Sequence, residues 1–149
     1  MMTQRQKVLE EAMAWKGAAY ADRAAVPYLV CDCATFPLMV FSKAGCFKWD
    51  GTLPYWSPQD WLHNPDERKY MDNVEKFGFE EIGELEAKPG DLVVYRVCHS
   101  WTHGAIIIQW PRYVLHPIKG LGVIGSHGTE EGFLRRRKHR FFTAIKDGS

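Results

Sequence analysis

The feature that most constrains the fold is a change of hydrophobic pattern at the turn sequence Lys88-Pro89-Gly90-Asp91. Before this turn, apolar residues recur at the three- and four-residue spacing of amphipathic helices, whereas after it they occur in short β-prone runs. These runs are Leu92 to Arg96, His103 to Gln109, Tyr113 to His116, Gly122 to Ile124 and Phe141 to Ile145. Helices followed by consecutive short strands predict an α+β fold, with N-terminal helices packed on a C-terminal antiparallel sheet.

The first two helices are predicted from their capping patterns. Thr3 and Gln6 have the spacing of a capping box, which predicts a helix that begins there and ends by Gly17. A mostly apolar stretch from Cys33 to Ala44 follows Asp32, and this arrangement predicts a second, largely buried helix. Both helices would contribute apolar faces to the core.

Two further helix-start patterns occur at Ser57-Pro58-Gln59-Asp60 and at Asn64-Pro65-Asp66-Glu67. Each places a capping side chain before a proline and an acidic residue in the first turn. The second pattern predicts a helix that ends at Gly78. The sequence has no repeat, low-complexity segment or long linker, so we expect residues 1–149 to form one domain.

Charge and hydropathy argue against two classes of function. The 149 residues include 19 Lys and Arg against 18 Asp and Glu, for a net charge of +1, whereas nucleic-acid-binding domains are usually strongly basic. No apolar run approaches the roughly 18 residues of a membrane span, and the first residues lack the apolar stretch of a secretory signal. We therefore expect no nucleic-acid partner, no membrane span, and synthesis in the cytoplasm without use of the general export route.

One of the four cysteines is placed where a nucleophile is favoured. In a reducing compartment we expect all four, at positions 31, 33, 46 and 98, to be thiols. Cys33 lies at a predicted helix start, where unpaired backbone N–H groups and the positive dipole end favour a thiolate and lower the thiol pKa. The alternative interpretation of Cys33 is a buried structural cysteine.

A thiol nucleophile needs a base, and two histidines lie on adjacent predicted strands. His103 begins one β-prone run and His116 ends the next, with a connection short enough for a hairpin. The position opposite His103 then falls at 116 to 119, which would place both side chains on one face about 5 Å apart. A base oriented by a polar partner is the arrangement of a catalytic triad. Two unrelated strand-end histidines are the alternative.

A zinc site is a further alternative, although C-x-C followed by C-H is not the usual spacing of zinc ligands. The residues concerned are Cys31, Cys33, Cys98, His99 and His103. We predict no metal.

A basic run from Arg135 to Arg140 precedes Phe141 and Phe142. Charge steers association and aromatic side chains anchor it, so this segment is a candidate surface for a protein partner. A solvated strand edge is the alternative interpretation.

Several segments, taken in order, are similar to one enzyme family. They are Asp32-Cys33-Ala34-Thr35-Phe36, Pro89-Gly90-Asp91-Leu92-Val93-Val94-Tyr95, His103-Gly104-Ala105-Ile106 and His116. Together they resemble the NlpC-type peptidases, papain-like cysteine enzymes that cut the stem peptides of bacterial peptidoglycan. The similarity covers most of the chain. It is closest to the small form found with bacteriophage tails and gene transfer agents, which shares Cys-Asp-Cys-Ala, Ser-Pro-Gln-Asp-Trp and a Trp-Pro after the histidine strand.

This resemblance implies a role for each candidate residue. Cys33 would be the nucleophile, His103 the general base and His116 the residue that orients it. Tyr20 matches a tyrosine that lines the family's site, although the family's Gly-x-Pro-Tyr motif is only half present here. The serine that commonly follows the nucleophile is Ala34, as in the tail-associated branch. No cofactor is implied.

The resemblance also implies a substrate and a setting. We expect a cysteine endopeptidase acting on peptidoglycan stem peptides, carried to the cell wall in a phage-type tail tip or hub with tail proteins as partners. A structural tail-hub component with a plugged or inactive site is one alternative, and an amidase or acyltransferase on the same fold is another.

Overall fold

A computed structural model describes residues 1–52 and 69–149 of the chain. Its helices are α1 (Gln4–Ala14), α2 (Thr35–Lys43) and α3 (Lys69–Lys76). The predicted capping box is present at the start of α1, where the Thr3 hydroxyl accepts from the Gln6 N–H and the Gln6 side chain accepts from the Thr3 N–H. The two helix-start patterns predicted at 57–60 and 64–67 lie outside the described residues. In the described ranges no helix is both long and apolar enough to cross a membrane.

Strands fill the second half of the chain, as predicted. They are β4 (Glu80–Ile82), β5 (Leu92–Val97), β6 (Ser100–Gln109), β7 (Tyr113–Ile118), β8 (Gly122–Ser126) and β9 (His139–Thr143). Within residues 69–149 they form an antiparallel sheet in the order β4-β9-β5-β6-β7-β8. The predicted α+β class, with an antiparallel sheet, is therefore confirmed.

A small sheet precedes α2 and was not predicted. Its strands are β1 (Ala19–Tyr20), β2 (Ala25–Val26) and β3 (Val30–Cys31), in the order β1-β3-β2. Two residues are too few to show the alternating pattern by which strands are recognised in a sequence.

The central strands are buried on both faces. On one face, Leu92, Ile106 and Leu115 share a core with the apolar residues of α1 and α2. On the other face, Val93 and Ile107 pack in a second apolar cluster that includes Leu134 and Phe141. Burial on both faces explains why these strands appear in the sequence as continuous apolar runs rather than alternating ones.

The basic run does not have the arrangement that we predicted. β9 lies between β4 and β5, so the end of this run is not at a sheet edge. Phe141 and Phe142 are buried, and the prediction that they anchor a partner is wrong because the core holds both rings. Arg140 is bound through two nitrogens to the Glu81 carboxylate at 2.9 and 2.6 Å.

Candidate active site

Asp32 determines the local structure around Cys33. Its Oδ1 accepts hydrogen bonds from the N–H groups of Ala34 and Thr35, both at 2.8 Å. The helix itself begins at Thr35, so Cys33 lies in the turn before α2 rather than in its first turn. This start makes Pro37 the third helical residue, where an N–H group has no partner within the helix and its absence costs little.

The prediction of a lowered Cys33 pKa is wrong in this structure. Burial raises the pKa of the Cys33 thiol well above its usual range, the Asp32 carboxylate raises it further, and a hydrogen bond from Tyr20 opposes them. The N–H groups that would favour a thiolate are instead bound to Asp32. The resting Cys33 side chain is therefore a neutral thiol.

The structure places Tyr20 beside this thiol. Tyr20 lies in β1, where it pairs with Cys31 of β3, two residues before Cys33. Its side chain forms a hydrogen bond with Cys33. Burial raises the pKa of Tyr20, so its hydroxyl keeps its proton and can serve as a hydrogen-bond donor.

His103 and His116 form a hydrogen-bonded pair. Nε2 of His103 lies 2.9 Å from Nδ1 of His116, and the two rings are nearly perpendicular, with centroids 5.1 Å apart. Ile106 pairs with Leu115 across the β6–β7 hairpin, so His116 is the diagonal neighbour of His103 rather than its direct partner. The side chains are 5% and 1% exposed, respectively.

Both histidines are neutral at neutral pH. Burial lowers the pKa of His103 well below its usual range, and electrostatic interactions with His116 and Arg137 lower it further. Burial also lowers the pKa of His116, to about 4. A neutral imidazole at His103 has a lone pair with which to accept a proton, which is the requirement for a general base.

The nucleophile candidate and the histidine pair meet at Thr102. The Cys33 Sγ lies 3.7 Å from the carbonyl oxygen of Thr102, the residue that directly precedes His103. Within residues 1–52 and 69–149, no hydrogen bond joins the Cys33 and His103 side chains directly. The structure thus pairs Cys33 with Tyr20, and it pairs His103 with His116. The two pairs are neighbours because the Cys33 thiol contacts the β6 backbone at Thr102.

Tyr70 is a site residue that sequence reasoning missed. From α3 its hydroxyl donates to the carbonyl oxygen of Cys33 at 3.3 Å. A Cβ atom at position 104 would overlap the Tyr70 hydroxyl, which explains the glycine that follows His103. The sequence carries no signal for this contact, because Tyr70 and Cys33 are 37 residues apart.

Phe133 and Arg137 form the rim of the site beside His103. The Phe133 ring centroid is 4.8 Å from that of His103, and Phe133 remains 39% exposed. The Arg137 guanidinium lies 4.3 Å from the Phe133 centroid. An aromatic ring and a cation therefore cover one side of the candidate base.

The zinc alternative has no support in the residues that the structure describes. Among them, no three His, Cys, Asp or Glu side chains are grouped closely enough to hold a metal ion. All four cysteines are free thiols, of which Cys98 is exposed and the other three are buried.

Comparison with known proteins gives a likeness of fold. The sequence matches no profile of a known protein family and no curated protein. The structure is similar to the crystal structure of a protein described as similar to a lipoprotein of the NLP/P60 family, from Staphylococcus aureus subsp. aureus Mu50. The TM-score is 0.59 at 20% identity, and the match covers 92% of this chain. The chain spans 40% of the length of that protein. At this identity the likeness shows that the two proteins share a fold.

Proposed function

We propose that the protein is a cysteine endopeptidase of the NlpC/P60 type that hydrolyses amide bonds in peptidoglycan stem peptides. The observation that carries this proposal is the hydrogen bond between His103 and His116, because it orients a neutral histidine next to the strand segment that contacts Cys33. The NLP/P60-like fold and the sequence resemblance support the same class of enzyme.

In the proposed mechanism His103 acts first as a base. The thiol proton of Cys33 moves to His103 as Sγ attacks the substrate carbonyl carbon, and the carbonyl π electrons move to its oxygen. Collapse of this intermediate breaks the C–N bond, and His103 returns the proton to the leaving amine. Water then attacks the thioester with His103 again as base, which releases the carboxylic acid and restores the thiol.

The raised pKa of Cys33 favours proton transfer in concert with attack over a preformed ion pair. In this structure the N–H groups of Ala34 and Thr35 are bound to Asp32 and are not available to an oxyanion. The Cys33 N–H and the Tyr20 hydroxyl, both hydrogen-bonded toward the thiol, are the groups that we assign to the oxyanion.

The direct test is mass spectrometry of purified peptidoglycan after incubation with the protein. Cys33→Ala removes the proposed nucleophile, and Cys98→Ala is the matched control because Cys98 is exposed and outside the site. We expect the wild type and Cys98→Ala to produce new amine and carboxyl termini within stem peptides. Cys33→Ala should produce none. Cleavage between sugar and peptide would indicate the amidase alternative, and transfer products the acyltransferase.

We further propose that the protein acts as part of a phage-type tail tip or hub, with tail proteins as partners. The support is its resemblance to the tail-associated form, including Cys31-Asp32-Cys33-Ala34 and Ser57-Pro58-Gln59-Asp60-Trp61. The exposed part of the basic run, at Arg135, Arg136 and Lys138, is the candidate contact. Particle proteomics should find the wild-type protein in purified tails.

Charge reversal at those three positions should remove the protein from the particles, whereas reversal of the exposed Lys7 should not. Absence of the wild-type protein from particles would exclude the tail assignment. Retention of the charge-reversed protein would exclude the basic run as the contact.

A structural tail-hub component is the second candidate, and one observation favours it. The Cys33 side chain is only 4% exposed, and Phe133 covers the side of His103. A protein whose site stays closed would assemble normally but release no peptides. Normal particle assembly by Cys33→Ala, combined with no cleavage by wild-type particles, would support this role.

A further inference from the structure

A third link extends the histidine pair into the next strand. Nε2 of His116 lies 2.8 Å from the hydroxyl oxygen of Ser126. His116 pairs with Ile124 and Val114 pairs with Ser126 across β7 and β8, so His116 and Ser126 are diagonal neighbours on one face. Ser126 is 6% exposed. Hydrogen bonds therefore connect His103 through His116 to Ser126, and the three residues lie on three different strands.

Catalysis fixes the direction of each of these hydrogen bonds. When His103 carries the proton from Cys33, both of its ring nitrogens are donors, so its Nε2–H must donate to Nδ1 of His116. A neutral His116 that accepts at Nδ1 has its own proton on Nε2. That N–H needs an acceptor, and the Ser126 oxygen is the group within reach.

The other tautomer of His116 would oppose catalysis. A proton on Nδ1 of His116 would face the Nε2–H of a protonated His103, and two donors would then meet at 2.9 Å. Because His116 is almost fully buried, bulk water has little access to replace the serine as an acceptor. A buried N–H left without a partner is costly, so the hydroxyl favours the productive tautomer.

We propose that Ser126 is a positioning residue that holds His116 in its Nε2–H tautomer and thereby supports the protonated state of His103. This inference rests on the proposed function, since it assumes that His103 accepts a proton from Cys33. Ser126 itself touches neither the thiol nor the substrate in this mechanism. Its contribution is transmitted through the two histidine rings.

The test compares Ser126→Ala with Ser126→Thr, which keeps the hydroxyl, and with Ser42→Ala as a control. Ser42 bonds the Met39 carbonyl within α2 and lies far along the helix from Cys33. On a stem-peptide substrate we expect kcat of Ser126→Ala to fall about tenfold, the effect of one hydrogen bond, with little change in KM. The acid limb of its pH profile should move, and Ser126→Thr and Ser42→Ala should resemble the wild type.

A second measurement does not depend on activity. ¹⁵N NMR of histidine-labelled protein should show His116 protonated on Nε2 in the wild type and a mixture of tautomers in Ser126→Ala. An unchanged tautomer and unchanged kcat in Ser126→Ala would overturn the role of Ser126 and leave the proposed hydrolysis intact. Loss of the Nε2–H tautomer in a protein that cleaves no stem peptide would instead support the Ser126 contact and reject the enzymatic proposal.

Discussion

The Nε2 atom of His103 lies 2.9 Å from the Nδ1 atom of His116, although the two residues are 13 positions apart on different strands. The β6–β7 hairpin creates this contact, and burial keeps both rings neutral. In the proposed mechanism the pair serves one transition state together with Cys33.

Residues that act as one unit should show strongly non-additive losses. We expect Cys33→Ala and His103→Ala each to lower kcat/KM by about 10³-fold or more, and the double variant to be scarcely worse than either. His116→Ala should be milder, because it leaves both reacting groups in place. Steady-state kinetics on a defined muropeptide measures these losses. Full activity of His103→Ala would remove that residue from the mechanism.

The order of cysteine alkylation follows from exposure and thiol pKa. The lowered pKa predicted for Cys33 would make it react first, but in the structure Cys33 is buried with a raised pKa and Cys98 is exposed. We expect iodoacetamide to modify Cys98 first at neutral pH. Peptide mapping of a time course gives the order. Faster labelling of Cys33 would show that the site opens and that its thiol is activated in solution.

Gly104 and Tyr70 should be energetically coupled. A methyl group at position 104 would overlap the Tyr70 hydroxyl, so Gly104→Ala should lower the free energy of unfolding by about 1–3 kcal/mol. Tyr70→Phe removes the obstructing oxygen, and the double variant should be more stable than the sum of the single effects predicts. Urea denaturation of the four proteins measures the coupling. Simple additivity would mean that the two side chains do not compete for this space.

Protonation of His116 should weaken the fold in acid. Its pKa is about 4 in the folded protein against about 6.5 in an unfolded chain, so below pH 6.5 the unfolded state binds the proton first. The resulting contribution to stability is complete above pH 6.5 and is lost as the pH falls toward 4, by up to about 3 kcal/mol. The unfolding free energy of His116→Gln should therefore depend less on pH in this interval. His99→Gln, which changes an exposed histidine, should retain the wild-type dependence.

Arg137 should contribute to the position of the acid limb of the activity profile. Burial is the largest cause of the lowered His103 pKa, but the Arg137 charge adds to it. Removing the charge with Arg137→Gln should raise the His103 pKa, so protonation would inactivate the base at a higher pH. The acid limb of the kcat/KM profile should therefore shift to higher pH. Arg135→Gln is the matched control from the same run. An acid limb that does not move would exclude Arg137 as a source of this effect.

Prediction from the sequence worked best where the signal is local. The capping box of Thr3 and Gln6 depends on residues three apart, and the β-prone runs of β5 to β9 depend on patterns within each run. The strand of His103 and the hairpin that brings His116 near it were predicted from such runs. The expectation failed at β1 to β3, because these strands are too short to carry a pattern.

The sequence by itself determined the α+β class, a buried helix shortly after Asp32 and the candidates Cys33, His103 and His116, because caps and periodicity depend on neighbours within a few positions. Only the tertiary structure decided the burial, the protonation and the hydrogen-bond partners of these side chains. It bound the N–H groups of the helix start to Asp32, buried Phe141 and Phe142, and brought Tyr70 and Ser126 to the site. Burial and contacts between distant residues control pKa values and hydrogen-bond direction, and neither is encoded in local spacing.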